Sequence, residues 1–207
     1  MAIKDSGERR EFEVNGVKTG AVRDIQEGKG RCDLMPLGVV ARLTGCLPLA
    51  DIDLFKKTGD VSCLYEALKD FVYTNPSYSS VYDMLLDLSK HFEEGMKKYG
   101  RDNWMKGIPL RSYVDSSVRH ILKHIDGWTD ERHDRAFCWN LICAIWTKEM
   151  MPELDDYSDR VVIEVEKTDG IRCVQFDCYY NTDGFCECKT AFTCPELGEK
   201  CPLYMED

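Results

Sequence analysis

The sequence predicts a mainly α protein with a small cysteine-rich module at its C-terminal end. Apolar residues recur at three- and four-residue steps from residue 81 to residue 146, the period of helices buried along one side. Six of the eleven cysteines crowd between Cys173 and Cys201, where that period is gone. With 207 residues, 43% apolar and 31% charged, the chain can bury one core of ordinary size and carry an appendage.

A net charge of −10 argues against general binding to nucleic-acid backbones, which takes clustered Lys and Arg. It leaves room for a small anion, because a bound divalent cation inverts the local sign. Residues 1–14 are polar, and no apolar run reaches the roughly 18 residues of a membrane span. Neither a membrane segment nor a secretory leader is expected, which makes the cytoplasm the expected compartment.

Residues 1–18 read as a flexible, charged N-terminus, ahead of a helical domain over 19–155. Gly28, Lys29, Gly30 and Arg31 then form a compact turn before a helical pattern that starts near Pro36. Glycines let a backbone approach phosphate oxygens, and Arg grips them with two donors. The spacing is not that of a Walker loop, and a solvated turn is the alternative. Residues 44–88 read as an insertion packed on the bundle, with a short helix around 64–72 and a turn at Asn75-Pro76.

From Val81 the residues Val81, Met84, Leu85, Leu88, Phe92 and Met96 form one apolar stripe. Glu93 falls on its margin and Glu94 further out. A carboxylate at that rim suits a hard cation in a cleft; the alternative is a surface pair with Lys97 and Lys98. In the loop that follows, Tyr99, Asn103 and Trp104 combine aromatic faces with an amide able to read a base edge, or form the loop's own small core. A second helix is expected from about Leu110 to Ile125. Asp115 and Arg119 stand on one of its edges, His120 and His124 on the other. The histidines have metal-sharing spacing, although such a pair is commonly plain surface, and Asp115 is placed to fix the Arg119 guanidinium for a phosphate.

The third helical segment, with Thr129 or Asp130 as its expected N-cap, is apolar nearly all round and therefore central. Asp130, His133 and Asn140 share one stripe of it, with Asp134 beside them. A buried Asn in such a helix must find partners, whether a divalent metal and phosphate or an internal polar network. Beyond it, residues 156–207 are expected to hold a short strand, VVIEV, and the cysteine module. About 35 residues need staples rather than a core. Four of Cys173, Cys178, Cys186, Cys188, Cys194 and Cys201 around Zn²⁺ is the reading a cytosolic chain favours, with disulfides as the alternative.

Four blocks in order, TGAVRDIQEGKGRCDLMPL, HFEEGMKKYGRDNWMKGIP, YVDSSVRHILKHIDG and DERHDRAFCWNLICA, resemble the N-terminal domain of the phage dATP/dGTP diphosphohydrolases. That group is associated with the all-α MazG-like nucleotide pyrophosphohydrolases. The resemblance covers roughly residues 19–43 and 89–155. It implies a MazG-like helical bundle that cuts a purine deoxynucleoside triphosphate between its α and β phosphates, in an infected bacterial cell. It also implies Mg²⁺ or Mn²⁺ as cofactor and assembly as a homo-oligomer, a dimer or tetramer. By position, the family pattern falls on Gly28, Lys29, Gly30, Arg31, Asp33, Glu93, Lys98, Tyr99, Asn103, Trp104, Asp115, Arg119, His120, Asp130, His133 and Asn140.

The expected roles follow. Glu93, Glu94, Asp130 and Asp134 hold Mg²⁺, and Glu94 or His133 is the catalytic base. Lys29, Arg31, Lys98 and Arg119 neutralise phosphate, while Tyr99, Asn103 and Trp104 hold the purine. One departure stands out: Lys97 occupies the third position of the family's E-E-x-x-E, although Glu131 to Asp134 reads as E-x-x-D. Two other readings therefore stay open. One is a nucleotide-sequestering protein without turnover; the other is a zinc-module interaction protein on a helical scaffold.

Overall fold

A computed structural model of the chain describes residues 7–157, together with the backbone of 181–182 and 185–186. Its order is β1 (Arg9–Val14), β2 (Val17–Asp24), α1 (Leu37–Thr44), α2 (Leu47–Thr58), α3 (Ser62–Thr74), α4 (Val81–Tyr99), α5 (Leu110–Ile125) and α6 (His133–Met150). A minimal antiparallel pair, β3 (Asn181–Thr182) and β4 (Phe185–Cys186), follows. The expected strand VVIEV and the proposed zinc module otherwise lie outside the described residues.

The N-terminal stretch corrects the sequence reading. From residue 9 it is not a frayed arm but a hairpin, with β1 antiparallel to β2. Asn15 and Gly16 both have positive φ, 51° and 79°, the conformation a two-residue hairpin turn demands and the one Asn-Gly adopts at least cost. Charge hides the strand: in RREFEV only Phe12 is fully buried.

Helix α5 has the bounds its periodicity predicts, between Pro109 and the turn at Gly127. It packs along α6, which is buried on nearly every side and central as expected. Helix α6 starts later than expected. Arg132, rather than Thr129 or Asp130, stands at its N-cap, and the Asp130 carboxylate pairs with the His133 ring. Along α4, Met84 and Leu88 are buried as expected, but the buried face turns through His91, while Leu85 and Met96 reach solvent.

Segment 44–88 contributes to the common core. Leu49, Ile52, Phe55, Leu64 and Phe71 join Val114, Val118, Phe137 and Leu141 in one cluster. Just past α6, Leu154 and Tyr157 are also buried. Among the described residues no helix is long and apolar enough to cross a membrane.

Candidate functional site

The hairpin, the C-terminal half of α4, the loop after it, α5 and the N-terminal end of α6 enclose a cavity of about 780 Å³. Ligand sites of small-molecule size run from roughly 300 to 1,000 Å³. Its wall carries six basic side chains (Arg10, Arg23, Lys29, Arg101, Arg119, Lys123) and six acidic ones (Asp24, Glu93, Asp102, Asp115, Asp130, Glu131). The cavity thus carries none of the chain's net charge of −10. Tyr99, Trp104, Trp128 and Trp139 give it aromatic surface.

One wall is a closed polar lattice. Asp115, 1% exposed, accepts from Gln26 Nε2 at 2.5 Å, from the Cys32 backbone N–H at 2.6 Å and from the Arg119 guanidinium. Arg119 also donates to the carbonyl oxygen of Gly30 at 3.1 Å, so it pins the Gly-Lys-Gly-Arg turn onto α5. Gln26 in turn accepts from Arg10 at 2.7 Å. Arg23 lies over the rings of Tyr113 and Trp139 and donates to Asn140 Oδ1 at 3.0 Å, while Asn140 donates to the Ala136 carbonyl at 2.8 Å. That is the internal network a buried Asn in an apolar helix requires.

The loop residues are bound up in the same way. Asn103 pairs its amide with both backbone groups of Val22, at 2.9 and 2.8 Å, which removes it as a reader of base edges. Asp24 accepts from Lys98 at 2.8 Å, Tyr99 at 2.9 Å and Arg9 at 3.0 Å. Burial alone pushes the Asp24 carboxyl up, but those hydrogen bonds and the Lys98 and Arg9 charges outweigh it and hold it below its ordinary value. Tyr99 and Trp104 still offer ring faces; Trp104 also packs on Phe92 and Trp146. Arg31 grips the buried Asp33 with two hydrogen bonds and does not line the cavity.

The four carboxylates expected to cage Mg²⁺ are not brought together. Glu93 and Asp130 do line the same cavity, but Glu93 is an exposed residue paired with Lys97. Both oxygens of Glu94 accept from Arg135, at 3.0 and 3.1 Å. Asp134 accepts from Arg132 at 3.0 and 2.8 Å, and those bonds keep its carboxyl below the ordinary value although burial pushes it up. Asp130 faces His133 at 2.7 Å and Lys123 at 3.6 Å. Glu94, Asp134 and the buried His133 are not among the lining residues. A hard cation requires several free oxygens at one point, and these four do not present them.

The histidines also pair differently from the sequence expectation. His124 sets its ring against Phe71, at 5.5 Å between centroids. His120 meets His133 instead: their Nδ1 atoms are 3.0 Å apart, with Glu131 Oε1 at 3.3 Å from one and 3.4 Å from the other. Burial, then the neighbouring His133 and Arg23, hold His120 well below its ordinary pKa. His91, on the same cavity, is pulled down to about 3 by burial and by the Arg135 and Arg23 charges. His91 Nδ1, Arg10 Nε and Trp139 Nε1 are buried without a hydrogen-bond partner, and all three residues line the cavity.

Sequence reasoning thus finds Lys29, Glu93, Tyr99, Asn103, Trp104, Asp115, Arg119, His120, Asp130 and Asn140 on the cavity and misses Arg10, Arg23, Gln26, His91, Lys123, Glu131 and Trp139. The Asn-Gly turn was the signal for the first two, since a hairpin there carries Arg10 and Arg23 as cross-strand partners.

Fold and cavity define a mainly helical protein with a mixed-charge pocket of small-ligand size. Residues 76–157 match the family model described as dATP/dGTP diphosphohydrolase, N-terminal. That span includes α4, α5 and α6 and leaves the hairpin outside. No curated protein and no solved structure matches the chain.

Proposed function

We propose that the cavity binds a purine deoxynucleoside triphosphate and that the protein hydrolyses it to the monophosphate and pyrophosphate. The observation that carries this is the cavity itself: in a chain of net charge −10, one aromatic-lined space of small-ligand size balances its six carboxylates with six basic side chains. The matched family supplies the nucleotide class. Arg10, Arg23, Lys29, Arg119 and Lys123 are the groups available to offset phosphate charge, and the rings of Tyr99, Trp104 and Trp139 offer stacking surface for the base.

In the reaction, a water oxygen attacks the α-phosphorus, the bond to the α–β bridging oxygen breaks, and pyrophosphate leaves with the electron pair. The proton lost by the attacking water ends on the departing pyrophosphate, so atoms and charge balance. Mg²⁺ enters this proposal as part of the substrate, since triphosphates carry it on their own oxygens. Assembly as a dimer or tetramer and a Zn²⁺-stapled cysteine tail complete the reading; sedimentation and zinc content of the purified chain check them.

Purified protein incubated with dATP or dGTP and Mg²⁺ is expected to give the deoxynucleoside monophosphate and pyrophosphate in equal amounts. Orthophosphate as the product, or no turnover of any deoxynucleoside triphosphate, overturns the assignment. The ion-paired state of Glu94 and Asp134 favours one rival, a sequestering protein without turnover. Tight nucleotide binding by calorimetry with no product decides for it.

A further inference from the structure

We infer that His120, Glu131 and His133 form a binding site for a divalent transition metal, of the two-histidine, one-carboxylate kind, in the cavity wall. Three donor atoms from three positions converge there: Nδ1 of His120 on α5, Nδ1 of His133 at the start of α6, and Oε1 of Glu131 just before it. Their separations are 3.0, 3.3 and 3.4 Å. Atoms bound about 2.1 Å from one ion, at the 90–109° angles of octahedral or tetrahedral coordination, sit about 3.0–3.4 Å apart. The spacing is therefore the one a shared ion imposes.

Proton positions lead to the same place. Nε2 of His133 lies 2.7 Å from the Asp130 carboxylate, and in the tautomer that donates to that carboxylate Nδ1 carries a lone pair. That lone pair faces Nδ1 of His120 and an oxygen of Glu131. A proton on His120 Nδ1 serves one of these contacts, whereas a cation at the centre serves all three. Asp130 is then a positioning residue: a carboxylate behind a ligating histidine fixes its tautomer and ring orientation. Lys123, 3.6 Å from Asp130, holds that carboxylate in turn.

Two imidazoles and one carboxylate select a borderline ion such as Zn²⁺ or Co²⁺, and accept the harder Mn²⁺, over Mg²⁺, which prefers an all-oxygen shell. Three protein ligands leave positions for water or a ligand oxygen. His120 and Glu131 both line the cavity, so those positions open towards it. The site stands apart from the nucleotide reading, because its occupancy is measured with no nucleotide present.

The test is Co²⁺ titration of chelator-treated full-length protein, followed by absorption spectroscopy and metal analysis. The expected result is one equivalent of Co²⁺ with ligand-field bands and no thiolate charge-transfer band; ions held by the cysteine tail show that band. His120→Ala and His133→Ala should each lose this equivalent, and Asp130→Asn should weaken it about 10- to 100-fold. His124→Ala, one helical turn away, should keep it. Circular dichroism of each variant confirms the fold, and Glu131→Gln gives a second, near-isosteric loss if an alanine variant fails to fold. Absence of the non-thiolate equivalent from the wild type, or its persistence in folded His120→Ala and Glu131→Gln, overturns the site.

Discussion

Two walls of one cavity treat their polar groups in opposite ways. Where β2, the Gly-Lys-Gly-Arg turn and the end of α4 meet α5, each carboxylate and amide is fully engaged inside the protein: Asp115 with three donors, Asp24 with three, Asn103 with both backbone groups of Val22. Where α5 meets the start of α6, His120, Glu131 and His133 turn their acceptors towards one another. Residues of one chemical type thus do two jobs. On the first wall they hold the cavity in shape; on the second they are left with capacity to bind.

The largest effect that would break this comparison is expected at Asp115. Asp115→Ala strands the Arg119 charge and two further donors in a buried place, at a cost of roughly 3–5 kcal/mol in urea denaturation. A loss below about 1 kcal/mol would show the lattice is not what shapes that wall. Asn103→Ala should follow, at about 2–3 kcal/mol, because both backbone groups of Val22 lose their partner. The same denaturation experiment reads it, and an unchanged midpoint would return Asn103 to the role of a ligand-facing amide.

His91 sharpens the comparison through pH. Its ordinary value of 6.5 falls to about 3 in the folded chain, so between those limits the unfolded chain binds more protons. Stability from keeping this ring neutral is complete above about pH 6.5 and is lost as pH falls towards about 3. On the order of 2 kcal/mol should go between pH 7 and pH 5. His91→Phe should show a shallower decline over that interval. Asp70, pushed up to about 6 by burial, acts with the opposite sign but is common to both proteins and cancels in the difference. The smallest stability effect belongs to the binding wall: Glu131→Gln should shift stability by less than about 1 kcal/mol while abolishing metal uptake.

Much of the fold is legible in the sequence, because α4 and α5 carry a helical period and α6 an apolar run, and the three end at Gly100, Asp126 and Met151. The hairpin is harder to see, since its strands are mostly charged and only the Asn-Gly turn betrays it. The site is legible as a neighbourhood rather than as a set of roles. Spacing puts Asp115 beside Arg119 and brings Asp130 near His133, both of which the structure bears out. Spacing along one helix cannot show that His120 meets a residue of α6 rather than His124, or that Arg135 and Arg132 already occupy Glu94 and Asp134. Those pairings depend on how α5, α4 and α6 cross, which no single-helix pattern encodes.

A crystal soaked with Mn²⁺ and a non-hydrolysable dGTP analogue tests the central claim most directly. The account predicts an anomalous Mn²⁺ peak within bonding distance of His120, Glu131 and His133, with the triphosphate against Arg23, Lys29 and Arg119. Nucleotide density outside this cavity, or Mn²⁺ bound to Glu93 and Glu94 with the histidine corner empty, would contradict it.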